Sequence, residues 1–326
     1  MKYTTLLLIF SLSLTIAFAQ PRQYFDLVKS ADSLYKIKEY KNSAFKYCEA
    51  FKSNGWKGSA KDRYNSACAW SLANYPDSAF FQLERLATKT NFLQVNDLRN
   101  DTVFTLLHND KRWTVLLSTI VAAKERADAK LNKPLVLKLD SIYNDDTKFR
   151  KQLSATEIDF GRNSKELEAL WKIINEKDSL NQIKVSGILD EYGWLGADVI
   201  GEQGNSALFL VIQHSNIQMQ EKYIPMMREA VKDGRAIGGN LALLEDRIAL
   251  QKGRRQIYGS QITRNKENQL YYVRPLMDPD NVDKRRAEVG LVPIAEYLER
   301  WNIIWNVEQY KKSLEAIEAY ETLQKK

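Results

Sequence analysis

The side chains in this chain best suited to moving a proton or gripping an anion fall in the stretch 193–261. His214, Asp246, Arg247 and Tyr258 occur there with the amides of Gln213, Gln256 and Gln261, and with Trp194 between Gly193 and Gly196. An imidazole exchanges protons near neutral pH, so His214 is the candidate general acid or base. Asp246 is the candidate to orient it or to bind ligand hydroxyls, and the Arg247 guanidinium can fork onto an anion. Neighbours on a helix point about 100° apart, so Asp246 and Arg247 need not pair with each other. Gln256 and Tyr258 share a face if their segment is a strand, and Gln261 joins them only if Gly259 kinks or turns the chain. Such an amide–phenol–amide array suits a sugar, a nucleotide or a peptide backbone, and Trp194 suits a pocket wall. Polar groups inside a protein need partners. The same residues therefore also describe a demanding polar core, with His214 bound to a backbone carbonyl or water and Asp246 or Arg247 in a helix-to-helix salt bridge.

Several chemistries lack their residues. Cys48 and Cys68 are the only cysteines and His108 the only other histidine, so no zinc spacing exists. There is neither a G-x-S-x-G elbow nor a phosphate loop, and Gly201-Glu202-Gln203-Gly204 lacks the strand of a dinucleotide fold. No metal and no cofactor are expected. Basic residues number 48 against 41 acidic, for a net charge of +7, but the signs are mixed. Only 247–255 and 284–286 approach a basic stripe, which argues against nucleic acid. His108 reads as structural or exposed. Cys48 and Cys68, in FKYCEAF and NSACAWSL, read as buried free thiols on adjacent helices, with a disulfide staple as the alternative.

The amino terminus carries Lys2, an apolar run from Thr4 to Phe18 and Ala17-Phe18-Ala19. That is the pattern of a cleavable secretory leader, residues 1–19, ending before Gln20. No later segment is apolar enough to span a bilayer. The mature protein is expected to be periplasmic or secreted and not inserted in a membrane.

The elements that must carry these residues are mostly helical. From Tyr24 to Leu86 apolar positions recur at three and four residues: Ala31, Leu34 and Tyr35; Ala44, Tyr47, Cys48 and Phe51; Tyr64, Ala67, Cys68 and Trp70; Ala79, Phe80, Leu83 and Leu86. Turns at 38–40, Asn54-Gly55 and 74–77 divide them into two hairpins. With small residues at the packing points and a repeat length of about 35 residues, this segment resembles tetratricopeptide repeats. Leu98, Phe104, Leu107 and Trp113 would close it. The polar stretch 121–133 before Pro134 marks a boundary between domains at 20–125 and 134–326. Helices are predicted from Pro134 to Phe149, 164–192 with close packing or a break at Gly187, 202–214, 218–232, 241–251, 282–288 and 293–323. Strands are predicted at 256–262 and 270–273, forming one hairpin. The fold class is mainly α, with helical hairpins followed by an α-helical domain bearing a small β-hairpin.

Leu139-Asp140, Gly193-Trp194, Gly201-x-x-Gly204, Gln213-His214, Glu245-Asp246-Arg247, Gly253-x-x-Gln256-x-Tyr258-Gly259-Ser260-Gln261 and VDKRRAEVGLVPIAEYL at 282–298 follow one another in order. In these motifs the segment 137–298 resembles DUF6624, a bacterial domain family of unknown function. Ser260 and Gly196 depart from its pattern, which often has Thr before the last Gln and Pro near the Gly-Trp pair. The resemblance implies a shared fold and site without naming a reaction. The expected function is an exported binding or adaptor protein with a polar pocket in the second domain, taking a polar small molecule, glycan or peptide. The repeats would offer a surface to a protein partner. The alternative is a small hydrolase or transferase of the cell envelope or medium. In it His214 acts as acid/base, Asp246 orients it, Arg247 clamps an anion, the three glutamines position the ligand, and water or Tyr258 is the nucleophile.

Overall fold

In a computed structural model, residues 20–324 are described; the leader read at residues 1–19 lies outside them. The chain separates into a unit ending at Ala129 and a second beginning at Lys130.

The first unit is built from helices that each pack on the next: α1 (Gln20–Lys36), α2 (Tyr40–Ser53), α3 (Ala60–Leu72) and α4 (Pro76–Lys89). Lys38 and Asn74, both at positive φ, turn the chain between them. Ala44, Ala67 and Ala79 are wholly buried, letting the helices approach closely. After α5 (Val95–Asn100) and a 3-10 turn, α6 (Lys111–Asp128) brings Trp113 against the buried Leu98, Phe104 and Leu107. The exposed His108 ring lies 4.6 Å from that of Trp113. Cys48 and Cys68 are free, and burial pushes both thiols up, which leaves them poor nucleophiles.

The second unit opens with α7 (Lys133–Arg150), α8 (Leu153–Phe160) and α9 (Lys165–Tyr192). Helices α10 (Ala197–His214), α11 (Ile217–Lys232) and α12 (Gly238–Gln251) follow. On α7, Leu135, Leu139 and Ile142 form one buried stripe against Val185, Ile188 and Leu189 of α9 and Leu208, Val211 and Ile212 of α10. Gly204 permits this contact: a Cβ there would come within 3.2 Å of the Leu139 side chain. Helix α10 kinks at Gly201. Helix α9 runs through Gly187 without a break, and a Cβ at Gly187 would meet nothing within 4 Å, so neither the expected break nor close packing occurs there.

Two short antiparallel strands follow, β1 (Ile262–Arg264) and β2 (Tyr271–Val273), with Ile262 opposite Val273. Then come α13 (Val282–Glu288), α14 (Ile294–Leu298) and α15 (Val307–Leu323), which enclose a satellite core of Val273, Leu276, Val282, Ile294, Leu298, Tyr310 and Leu314. The helix predicted over 293–323 is interrupted where Asn302 adopts a left-handed conformation. The architecture is mainly α with a small hairpin, as the periodicities imply. Among the described residues no helix is long and apolar enough to cross a membrane.

Candidate functional site

The segment 256–261, predicted to be strand, is a loop wrapped around a carboxylate. Asp246 sits on the inner face of α12 and is fully buried. One of its oxygens accepts from the Ile257 and Tyr258 amides at 2.6 and 2.9 Å, and the other from the Ser260 amide at 2.9 Å. Gly259, at φ 68°, turns the chain so that these amides converge. Amides committed to a carboxylate cannot also join a strand ladder, which is why the strand starts only at Ile262. Burial pushes the Asp246 carboxyl up, while the three amides oppose it by favouring the charged form.

The loop's remaining groups are also taken. Gln256, fully buried, donates through Nε2 to the carbonyls of Gln261 and Arg274 at 3.1 and 2.9 Å and accepts from the Gln261 amide at 2.8 Å. From α13, Arg285 donates to the Ile257 carbonyl at 2.9 Å and Arg286 to that of Tyr258 at 2.6 Å. From α14, the Tyr297 hydroxyl donates to the Ser260 carbonyl at 2.8 Å. Gln261 donates to the carbonyl of Leu243 at 3.4 Å and to the Ser260 hydroxyl at 3.1 Å. Burial, with Glu245 nearby, raises the Tyr258 phenol, whose only hydrogen bond among the described residues is a long 3.5 Å one to Glu245. The Lys-Arg-Arg run at 284–286 thus uses two arginines to hold a loop. Trp194, 1% exposed, is part of the main core and cannot stack on a ligand.

His214 lies elsewhere, at the last turn of α10, where a helix end favours a positive side chain. Its partner is Asp146 of α7, not Asp246: Nδ1 lies 2.9 Å from the Asp146 carboxylate. Asp146 continues the buried stripe of Leu135, Leu139 and Ile142 by one helical turn and is 1% exposed. One turn further on, Arg150 lies 3.3 Å from the same carboxylate oxygen and donates to both oxygens of Asp178 on α9 at 2.9 and 2.6 Å. A carboxylate accepts and does not donate, so Nδ1 carries the hydrogen. The imidazole, 22% exposed, then presents Nε2, which has no partner among the described residues.

Several buried valences of the second unit are open. The second oxygen of Asp146, Oε1 of Gln213, Oδ1 of Asn181, Nε1 of Trp194, Nε of Arg247 and Nη2 of Arg286 are buried without a hydrogen bond. Gln213 is 5% exposed, and its backbone carbonyl accepts from Gln220 at 3.2 Å. Gln251, one turn along α12 from Arg247, donates to Gln220 at 3.5 Å. Burial first, then the cations of Arg150 and Arg274, pull the Arg247 guanidinium down from its ordinary value. Leaving one such buried donor unpaired costs about 1–3 kcal/mol.

Of the residues singled out from sequence, Gln213, His214 and Arg247 carry open groups, as does the indole Nε1 of Trp194 inside the core, whereas Asp246 and Gln256 are spent on structure. Asp146, Arg150 and Asp178 were missed. Their signal was a carboxylate at the next position of an apolar stripe, with an arginine four residues later. Among the described residues no three His, Cys, Asp or Glu side chains are grouped as a metal site. Two open grooves, of about 400 and 780 Å³, lie along α6 and α9 and include none of these residues.

The family of unknown function DUF6624 matches residues 135–307, more than half of the chain, and the protein belongs to that family. No curated protein and no solved structure matches the chain. The matched span contains all but the first two residues of α7, the His214 helix and the Asp246 loop.

Proposed function

We propose that this is an exported binding or adaptor protein whose second unit takes up a polar ligand at the surface of Gln213, His214 and Arg247. The observation that carries this reading is the pair of open groups: His214 presents Nε2 from an imidazole fixed by Asp146, and half-buried Arg247 keeps a buried Nε without an acceptor. Buried polar atoms are ordinarily paired, so groups left open beside a partly exposed histidine suit a ligand. The first unit, with its tetratricopeptide-like hairpins and buried alanines, supplies an adaptor surface for a protein partner. Export rests on the leader-like residues 1–19.

A second reading is favoured by the His214–Asp146 pair itself. Nε2 can accept a proton from an attacking water while Asp146 stabilises the resulting imidazolium, the division of labour in His–Asp catalysis. The protein would then be a hydrolase or transferase of the envelope or medium, with water as nucleophile.

The test uses the secreted form, whose intact mass should begin at Gln20. Calorimetric titration with envelope-glycan fragments, nucleotides and peptides should find a ligand whose affinity falls in His214→Ala while the urea midpoint stays near that of the parent. Product released from that ligand by the parent and not by His214→Ala would establish the enzymatic reading. Absence of any ligand, with both His214→Ala and Arg247→Ala severely destabilised, would make these residues a structural network.

A further inference from the structure

The geometry points to an oxyanion, a phosphate or carboxylate group of the ligand, as the partner of Arg247. This rests on the reading that the second unit binds a ligand, and it names the ligand's charge. Arg247 stands on α12 midway between Leu243, whose carbonyl accepts from Gln261, and Gln251, which donates to Gln220. Those bonds fill the helix face one turn before it and one turn after it. Arg247 itself, half-buried, donates to nothing among the described residues, and its Nε is shut off from water.

The surrounding charges explain why no internal partner serves. Asp246, the adjacent acid, is committed to three amides, and Glu245 pairs with Arg228 at 2.9 Å. Asp146 serves His214 and Arg150. The other buried or half-buried arginines nearby all have acceptors: Arg150 has Asp178, Arg274 has Glu321 at 2.8 and 2.7 Å, and Arg286 has the carbonyls of Tyr258 and Val292, although its Nη2 is also buried without a bond. Arg247 is thus a cation without a counter-ion among the described residues, and burial, with the cations of Arg150 and Arg274, disfavours its charged form until an anion is bound. A guanidinium so placed is matched by a planar or tetrahedral oxyanion that can accept two of its N–H groups.

The experiment measures binding of inorganic phosphate, acetate, glucose 1-phosphate and glucose to the mature full chain at constant ionic strength. The parent is compared with Arg247→Met, Arg247→Lys and His214→Ala, and the urea midpoint of each variant is recorded. Phosphate or glucose 1-phosphate binding that weakens at least tenfold in Arg247→Met, at an unchanged midpoint, and is partly restored in Arg247→Lys supports the inference with phosphate as the group. The same pattern with acetate alone identifies a carboxylate. Equal anion affinity in the parent and Arg247→Met overturns it, as does binding of none of the anions. Binding of glucose, or of a neutral glycan or peptide from the panel above, that is lost in His214→Ala and kept in Arg247→Met would overturn the anion while leaving the polar-ligand reading intact. If neither anions nor neutral ligands bind, both fail.

Discussion

The loop at 256–261 and the surface around His214 are built from the same kinds of residue: an aspartate, arginines and glutamine amides. In the loop nearly every polar group has a partner, the Nη2 of Arg286 being the exception. Asp246 collects three amides, Gln256 makes three bonds, and Arg285, Arg286 and Tyr297 cover the carbonyls. Around His214, Asp146, Gln213 and Arg247 each keep a buried atom with no bond. A dense polar motif therefore marks a brace as readily as a site. The difference lies in satisfaction: closed valences hold backbone in place, and open ones are available to something else.

Substitutions separate the two regions by what they cost. The largest loss of stability is expected for Asp246→Ala, which strands three amides, two part-buried and one buried: about 3–5 kcal/mol by urea denaturation. A loss below about 1 kcal/mol would mean the loop is not held this way, and the contrast would collapse. Gln256→Ala should cost about 2–3 kcal/mol, because it frees two carbonyls and an amide in the same loop.

On the other side the effects should be small. His214→Ala removes one bond to an aspartate that Arg150 still faces, for a loss of about 1 kcal/mol. Arg247→Met should change the urea midpoint least, by no more than about 1 kcal/mol in either direction, since replacing an uncompensated buried charge by an apolar chain is often neutral or stabilising. If Arg247→Met proves as damaging as Asp246→Ala, Arg247 belongs with the brace and the comparison is redrawn.

Much of the scaffold was legible in the chain. The three- and four-residue spacing of Leu135, Leu139 and Ile142, or of Ala79, Phe80, Leu83 and Leu86, specifies buried helix faces, because side-chain direction along a helix is set locally. The candidate site was legible only in part. His214 and Arg247 could be picked out by type, but their partners could not. Asp146 is distant in sequence from His214, and its pairing depends on how α7 packs against α10. The strand expected at 256–262 failed for a similar reason. Its composition permits a strand, and a carboxylate on another helix draws off its amides.

What the sequence by itself determined is the helical content, the two hairpins of the first unit, the small β-hairpin and the membership of 135–307 in its family. These follow from local periodicity and ordered motifs, which need no knowledge of long-range contacts. The tertiary structure decided which polar residues are bound and which are open. It gave Asp146 to His214, Asp246 to the loop, Trp194 to the core, and left Arg247 without a counter-ion. A hydrogen bond between residues far apart in the chain depends on a distance held to within a few tenths of an ångström, and only packing of the helices sets that.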